Sequence, residues 1–208
     1  MAAKEKSPDA ASADRDCEGV TMKDNKPDIT IVYYKNSFDA SELAEIETEL
    51  AKHELQIVSH ERSPYINASI DFFVPFVQIL LSPDMISALY QGLLTNAVWD
   101  GIKTLLTYIF RKFRKKPVYK LQGGAITEGS ANIHFVVGNN VLALPMNVDE
   151  EKFEYAVDKF MDASVTSNPT EVTYTFCADN GNIVFHKTER EIIQEEYEKQ
   201  QKIKKNRR

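Results

Sequence analysis

Between Ile66 and Phe113 apolar side chains dominate the sequence, yet Pro75, Asp84, Asp100 and Lys103 interrupt them before any run is long enough to span a bilayer. A spanning helix needs about 20 predominantly apolar residues. Only 12 uncharged residues separate Asp71 from Asp84, and only 15 separate Asp84 from Asp100. Asp100 and Lys103 would then sit inside the lipid, where a charge is costly unless it is paired or wet. The region must be buried in protein or lie along a surface.

Its periodicity predicts helices. Phe72, Phe73, Val74, Phe76, Val77, Ile79, Leu80 and Leu81 form one apolar block, broken by Pro75 and closed by Ser82-Pro83. From Asp84, an N-cap or first-turn acid, Ile86, Tyr90, Leu93, Leu94, Ala97, Ile102, Leu105, Leu106, Ile109 and Phe113 recur at helical spacing. Asn96, Asp100, Lys103, Thr107, Arg111 and Arg114 fall on the other side. Together these predict one amphipathic helix of about seven or eight turns. Pro117 stops it, because the residue before a proline disfavours helical geometry.

The flanks predict strands. Asp28 to Lys35 alternates β-rich residues, and Asp39 with Glu42 forms a capping box before a helix whose Leu43, Ile46 and Leu50 share a face. A second strand from Leu55 to Ser59 completes a β-α-β opening with parallel strands. Beyond Pro117, Val118 to Leu121 reads as a strand stopped by Gly123-Gly124. Ile133 to Val137 and Val141 to Met146 flank the turn Gly138-Asn139-Asn140. Asn147 or Asp149 caps a helix with the stripe Phe153, Ala156, Val157, Phe160 and Met161. Asn180-Gly181 predicts a second hairpin, from Glu171 to Lys187. The expected fold is therefore α+β: the β-α-β opening, a long amphipathic helical region, a mainly antiparallel β-β-α-β-β unit and a C-terminal helix. The opening either extends that sheet or forms a separate lobe.

Residues 1–27 carry almost no apolar side chains and are expected to be disordered, since they cannot bury enough surface to offset ordering entropy. Residues 28–187 form the expected single domain, with 117 as a sub-boundary if there are two lobes. Residues 188–208 form a charged helical extension, glutamates first and lysines and arginines last, an order that suits a helix dipole. Only Ile192, Ile193, Tyr197 and Ile203 could dock it, so a projecting helix is expected. The tail lacks the apolar stretch of about 7–15 residues of a secretory signal, and Cys17 and Cys177 make no disulfide framework. The expected location is cytoplasmic, at most peripheral to a membrane.

The sharpest local feature is the run Arg111, Lys112, Phe113, Arg114, Lys115 and Lys116. Seven basic residues and no acidic one lie between Asp100 and Glu128, in a chain of net charge −6. The run is the candidate surface for a partner or for anionic lipid, with Phe110 and Phe113 as apolar neighbours. A purely structural reading, cations complementing a helix C-terminus, accounts for one or two charges well and five poorly. Nucleic acid is not expected, for no base-stacking set accompanies the run.

Evidence for catalysis is thin. In the Asn180-Gly181 hairpin, Ala178 should face Ile183 and Phe176 should face Phe185 on the core side. Cys177 and His186 then lie diagonally on the other face, a pair able to make a reactive thiolate, but without an orienting third group. His53, His60 and His134 have no metal-ligand spacing, and Gly123-Gly124 is no phosphate loop. No enzyme activity, cofactor, metal or small-molecule substrate is expected.

The layout of the first half carries a resemblance. A strand, a short acidic helix, a second strand and then a helix running from Ala97-Val98-Trp99-Asp100 to Tyr108-Ile109-Phe110-Arg111-Lys112-Phe113-Arg114-Lys115-Lys116 precede another strand. Over residues 28–127 this resembles the effector-associated constant components of bacterial conflict systems. The family's glycine-rich helix entry is represented only by Gly92 and Gly101, and the family has no catalytic residues to carry over. The resemblance implies a non-enzymatic accessory partner of a larger effector. The expected function is a protein-interaction or adaptor module with an unidentified protein partner. The alternative is a membrane-active protein using residues 72–113 and the basic run on an anionic membrane surface.

Overall fold

The computed structural model describes residues 26–35, 37–63, 76–114, 118–122, 125–129, 132–177 and 183–206. Strand β1 (Ile29–Tyr34) pairs in parallel with β2 (Ile57–Arg62) across helix α1 (Ala40–Ala51), as the opening pattern predicts. The capping box is present: the Asp39 carboxylate accepts from the Glu42 amide at 2.9 Å and Glu42 accepts from the Asp39 amide at 2.8 Å. On its other side β1 pairs antiparallel with β3 (Val77–Leu81).

That third strand corrects the expected helical pair. Val77 to Leu81 lies inside the sheet, between β1 and the strand β6 (Asn132–Val137). A short apolar run has no periodicity that separates strand from helix, and length decides such cases. Phe72 to Pro75 lies outside the described residues.

The expected long helix is two helices. Ser82 caps α2 (Pro83–Tyr90), with Pro83 in the first turn and Asp84 as a first-turn acid. Gly92, at φ +67°, ends it, and the Thr95 side chain then caps α3 (Asn96–Phe113). Leu93, part of the predicted stripe, is in fact largely exposed in the linker.

Beyond α3, β4 (Val118–Gln122) and β5 (Ala125–Gly129) form a two-stranded ladder of their own, of which only the backbone is described. Strands β6 and β7 (Asn140–Pro145) form the expected hairpin, turned at Gly138 with φ +60°. Buried Asn140 accepts from the Thr173 hydroxyl and donates to the Ser167 carbonyl, tying this turn to the connection after α4 (Glu150–Thr166). Strand β8 (Thr173–Cys177) runs parallel to β7, and β9 (Ile183–Thr188) closes the sheet.

The principal sheet has seven strands in the order β2-β1-β3-β6-β7-β8-β9, mixing parallel and antiparallel pairs. The opening therefore extends the same sheet as the second half, and the fold is α+β. Alternation along each strand sorts the side chains to two faces. Ile29, Ile31, Val77, Ile79, Ile133, Phe135, Leu142 and Leu144 join one core with helices α1 to α4. Val141, Tyr174 and Phe176 face the other way, toward helix α5 (Glu189–Asn206).

The last hairpin differs from expectation. Cys177 pairs with Ile183 and Phe176 with Val184, with an irregularity between Tyr174 and Phe176. A one-residue change of register exchanges faces. Cys177 consequently lies buried in the main core. Residues 178–182, which include Asn180-Gly181, and the His186 and Phe185 side chains lie outside the described set.

Candidate functional site

Helix α3 runs antiparallel to both α1 and α4. Its Gly101 end meets His53 and Leu55 after α1, while its Lys112 end meets Glu42 in the first turn of α1. Toward α4, Lys103 pairs with Asp158 at 2.6 Å, and Phe110 stacks on Phe153 at 4.3 Å. Antiparallel packing sets the C-terminus of α3 beside the N-termini of its neighbours. Helix dipoles favour cations at the former and acids at the latter, so charges of opposite sign are brought together.

The basic run is built into this meeting point. Arg111 Nε donates to Glu150 Oε1 at 3.0 Å, and Arg114 Nη1 lies 3.7 Å from Glu150 Oε2. Lys112, whose side chain is 9 % exposed, pairs with Glu42 and lies 5.0 Å from the Phe38 ring centre. Glu42 thereby serves both the cap of α1 and the charge of α3. Phe113 is 1 % exposed and belongs to the core, not to a presented surface. Lys115 and Lys116 lie outside the described residues. Three of the five cations in the run thus have carboxylate partners, more than a dipole argument alone would place.

The Arg111 hydrogen bond, opposed by partial desolvation and aided by its charge, holds the Glu150 carboxyl below the usual carboxylate range. A depressed folded value gives stability that is present above the unfolded carboxylate value and is lost as pH falls through the folded one. A double-mutant cycle on Arg111→Gln and Glu150→Gln should show favourable coupling at pH 7 that disappears on acidification and shrinks in high salt. Coupling unchanged at low pH would contradict the pairing.

Beside the run, α1 and α3 enclose a groove of about 930 Å³, reached by Glu154 of α4. Ile46, Leu50 and Leu105 form its apolar lining. Lys103, Arg111 and Lys112 also line it but are paired to Asp158, Glu150 and Glu42. The Tyr108 hydroxyl donates to Glu45 at 3.2 Å, and burial, followed by the Glu45 charge, raises the phenol above its ordinary value. Carboxylates opposite a tyrosine and paired cations support electrostatic contact better than proton transfer. No histidine or cysteine is among the described residues of the lining.

The remaining chemistry-bearing residues are dispersed. His134 is buried on the opposite sheet face with its ring centre 6.0 Å from that of Tyr174, and His53 Nδ1 is 2.9 Å from the Ala97 carbonyl oxygen. His60 is exposed on edge strand β2. Among the described residues no group of three His, Cys, Asp or Glu could hold a metal ion. None of the described helices is long and apolar enough to cross a membrane.

Three exposed large apolar side chains lie on α5. Thr188 and Glu191 cap it reciprocally, the Thr188 amide donating to Glu191 at 2.8 Å and the Glu191 amide donating to the Thr188 hydroxyl at 3.3 Å. Ile192 is 6 % exposed against Val141 and Tyr174, and Lys187 donates to Glu195 at 2.8 Å. The other large apolar side chains of the helix are open to solvent: Ile193, Tyr197 and Ile203 are 48 %, 58 % and 53 % exposed. The C-terminal helix is therefore anchored at Ile192, and most of its other side chains are exposed. Of the partners of the basic run, the sequence picked out Glu42 only as part of the capping box and did not pick out Glu150; their shared signal was the acid in the first turn of each predicted helix.

No family model, curated protein or solved structure compared with the chain matches it.

Proposed function

We propose that this protein is a non-enzymatic interaction module that engages a protein partner through the outward side of α5. The observation that carries the reading is an 18-residue helix anchored by one buried apolar side chain while three large ones stay exposed. Scattered single apolar residues on a surface need no explanation, but three on one side of a single helix suggest contact with something else. An accessory role beside a larger effector, the role implied by the layout resemblance, is of this kind. The membrane alternative loses support, because Ile102, Leu105, Leu106, Ile109, Phe110 and Phe113 are buried. The apolar side of α3 faces the core and is not available to lipid.

The test is affinity capture with the full chain and with the triple variant Ile193→Ser, Tyr197→Ser, Ile203→Ser. These side chains are exposed, so the variant should fold and unfold like the parent. A captured protein that is lost from the variant supports the module. Equal capture by both chains overturns it, as does capture of nothing by either, a second copy of the chain included.

A further inference from the structure

Helix α5 is self-complementary. Over residues 189–198, five glutamates and one arginine leave a net charge of −4, and over residues 199–206 four lysines give +4. Few partners match such a helix along its whole length, but an antiparallel copy of itself does. It sets the acidic half of each helix against the basic half of the other.

The apolar side fits the same arrangement. At 100° per residue, Ile193, Tyr197 and Ile203 fall within about a third of the helix circumference. In an antiparallel pair centred on Glu198, Ile193 of one helix is level with Ile203 of the other. Glu198 itself points away from that side, so two like charges do not meet in the seam. Val184, 42 % exposed on edge strand β9, pairs with Phe176 and so shares the sheet face on which α5 lies. That side of the molecule therefore continues the apolar surface beyond the helix.

We infer that α5 pairs antiparallel with α5 of a second copy of this chain, forming a two-fold dimer with Ile193, Tyr197 and Ile203 in the seam. The inference deepens the reading of α5 as the interaction surface by naming the partner. Such a contact is isologous: each surface patch meets its own copy, as closed dimers require. Exposed charge pairs are worth roughly 1.4- to 5-fold each in affinity, so the four lysines together should matter by about tenfold or more.

Sedimentation equilibrium of the full chain tests it. The expected mass is twice the 23.7 kDa of one chain, and added salt should weaken the association. A parallel pair would set like charges together and be strengthened by salt, so that result would overturn the geometry. Lys199→Glu, Lys202→Glu, Lys204→Glu and Lys205→Glu in one chain should give a monomer. Glu189→Lys with Glu196→Lys in another should weaken association by about tenfold or more. Mixing the two should restore a heterodimer. The Ile193→Ser, Tyr197→Ser pair should also give a monomer, with an unchanged circular dichroism spectrum as evidence of folding. A wild-type chain monomeric at about 100 µM overturns the self-pairing. If that monomer still captures a different protein through α5, the interaction module stands and only the identity of its partner is changed.

Discussion

Phe113→Ala is expected to lower the unfolding free energy by about 3–5 kcal/mol, the range for truncating a fully buried phenylalanine. Phe113 lies edge-on to Phe38 at 5.1 Å and to Phe76 at 5.0 Å. Phe38 in turn meets Tyr33 at 5.0 Å, and Phe76 meets Tyr34 at 5.9 Å. The ring thus joins the loop before α1 to the start of β3. Removing it deletes two aromatic contacts and leaves a void bordered by side chains held from three elements, which limits collapse into the space. Urea unfolding should show a lower midpoint with an unchanged slope. A cost below about 1 kcal/mol would instead place Phe113 at a surface and revive it as a binding residue.

The result bears on how the basic run is read. Arg111 and Arg114 meet Glu150 near solvent, where a single exposed ion pair contributes little. Lys112 is different, since its side chain is mostly enclosed between Glu42 and the Phe38 ring. A run that looks like one uniform patch in sequence therefore divides, at 100° per residue, among a core residue, a largely enclosed cation and two outer ones. Helical geometry forces that division, and it explains why counting charges overstated the surface they present.

The most legible parts of the fold were those governed by local physics. The Asp39–Glu42 box, the Gly138 turn and the stripe of α4 each follow from residues within a few positions of one another. Where long-range pairing decided, local pattern failed. Val77 to Leu81 became a strand because β1 and β6 were available on either side, and nothing in the five residues announces those neighbours. The hydrophobic period ran on through Gly92, although a glycine at positive φ and a capping threonine three residues later were enough to end one helix and begin another. Asn180-Gly181 suggested a register that sets Ala178 opposite Ile183, whereas the described ladder pairs Cys177 with Ile183 and the faces exchange. For the site, the run at the end of α3 was visible, but its partners lie about 40 to 70 residues away, and only packing of three antiparallel helices brings them together.

Gly101→Val should cost about 3 kcal/mol, the upper part of the range for overpacking a filled interior. A Cβ at residue 101 would stand 2.8 Å from both His53 Cβ and Leu55 Cδ1, closer than such atoms approach. Neither neighbour can easily retreat. His53 is held to the Ala97 carbonyl at 2.9 Å, the Leu55 amide donates to Leu50, and Glu54 between them sits at φ +60°, so the turn is tightly specified. Alanine at 101 meets the same first atom but gains about 1 kcal/mol of helix propensity, so its net cost should be smaller. Valine adds two methyl groups and a restricted rotamer to the same contact. For a chain of this size the expected fall in thermal midpoint is about 6–12 °C for valine. The decisive measurement is the cycle with His53→Gly, which removes both the Cβ and the ring on the facing side. If the close approach is the cause, valine should cost at least about 0.5 kcal/mol less in that background. Strict additivity would mean that glycine is required at 101 for some reason other than the contact between α3 and the end of α1.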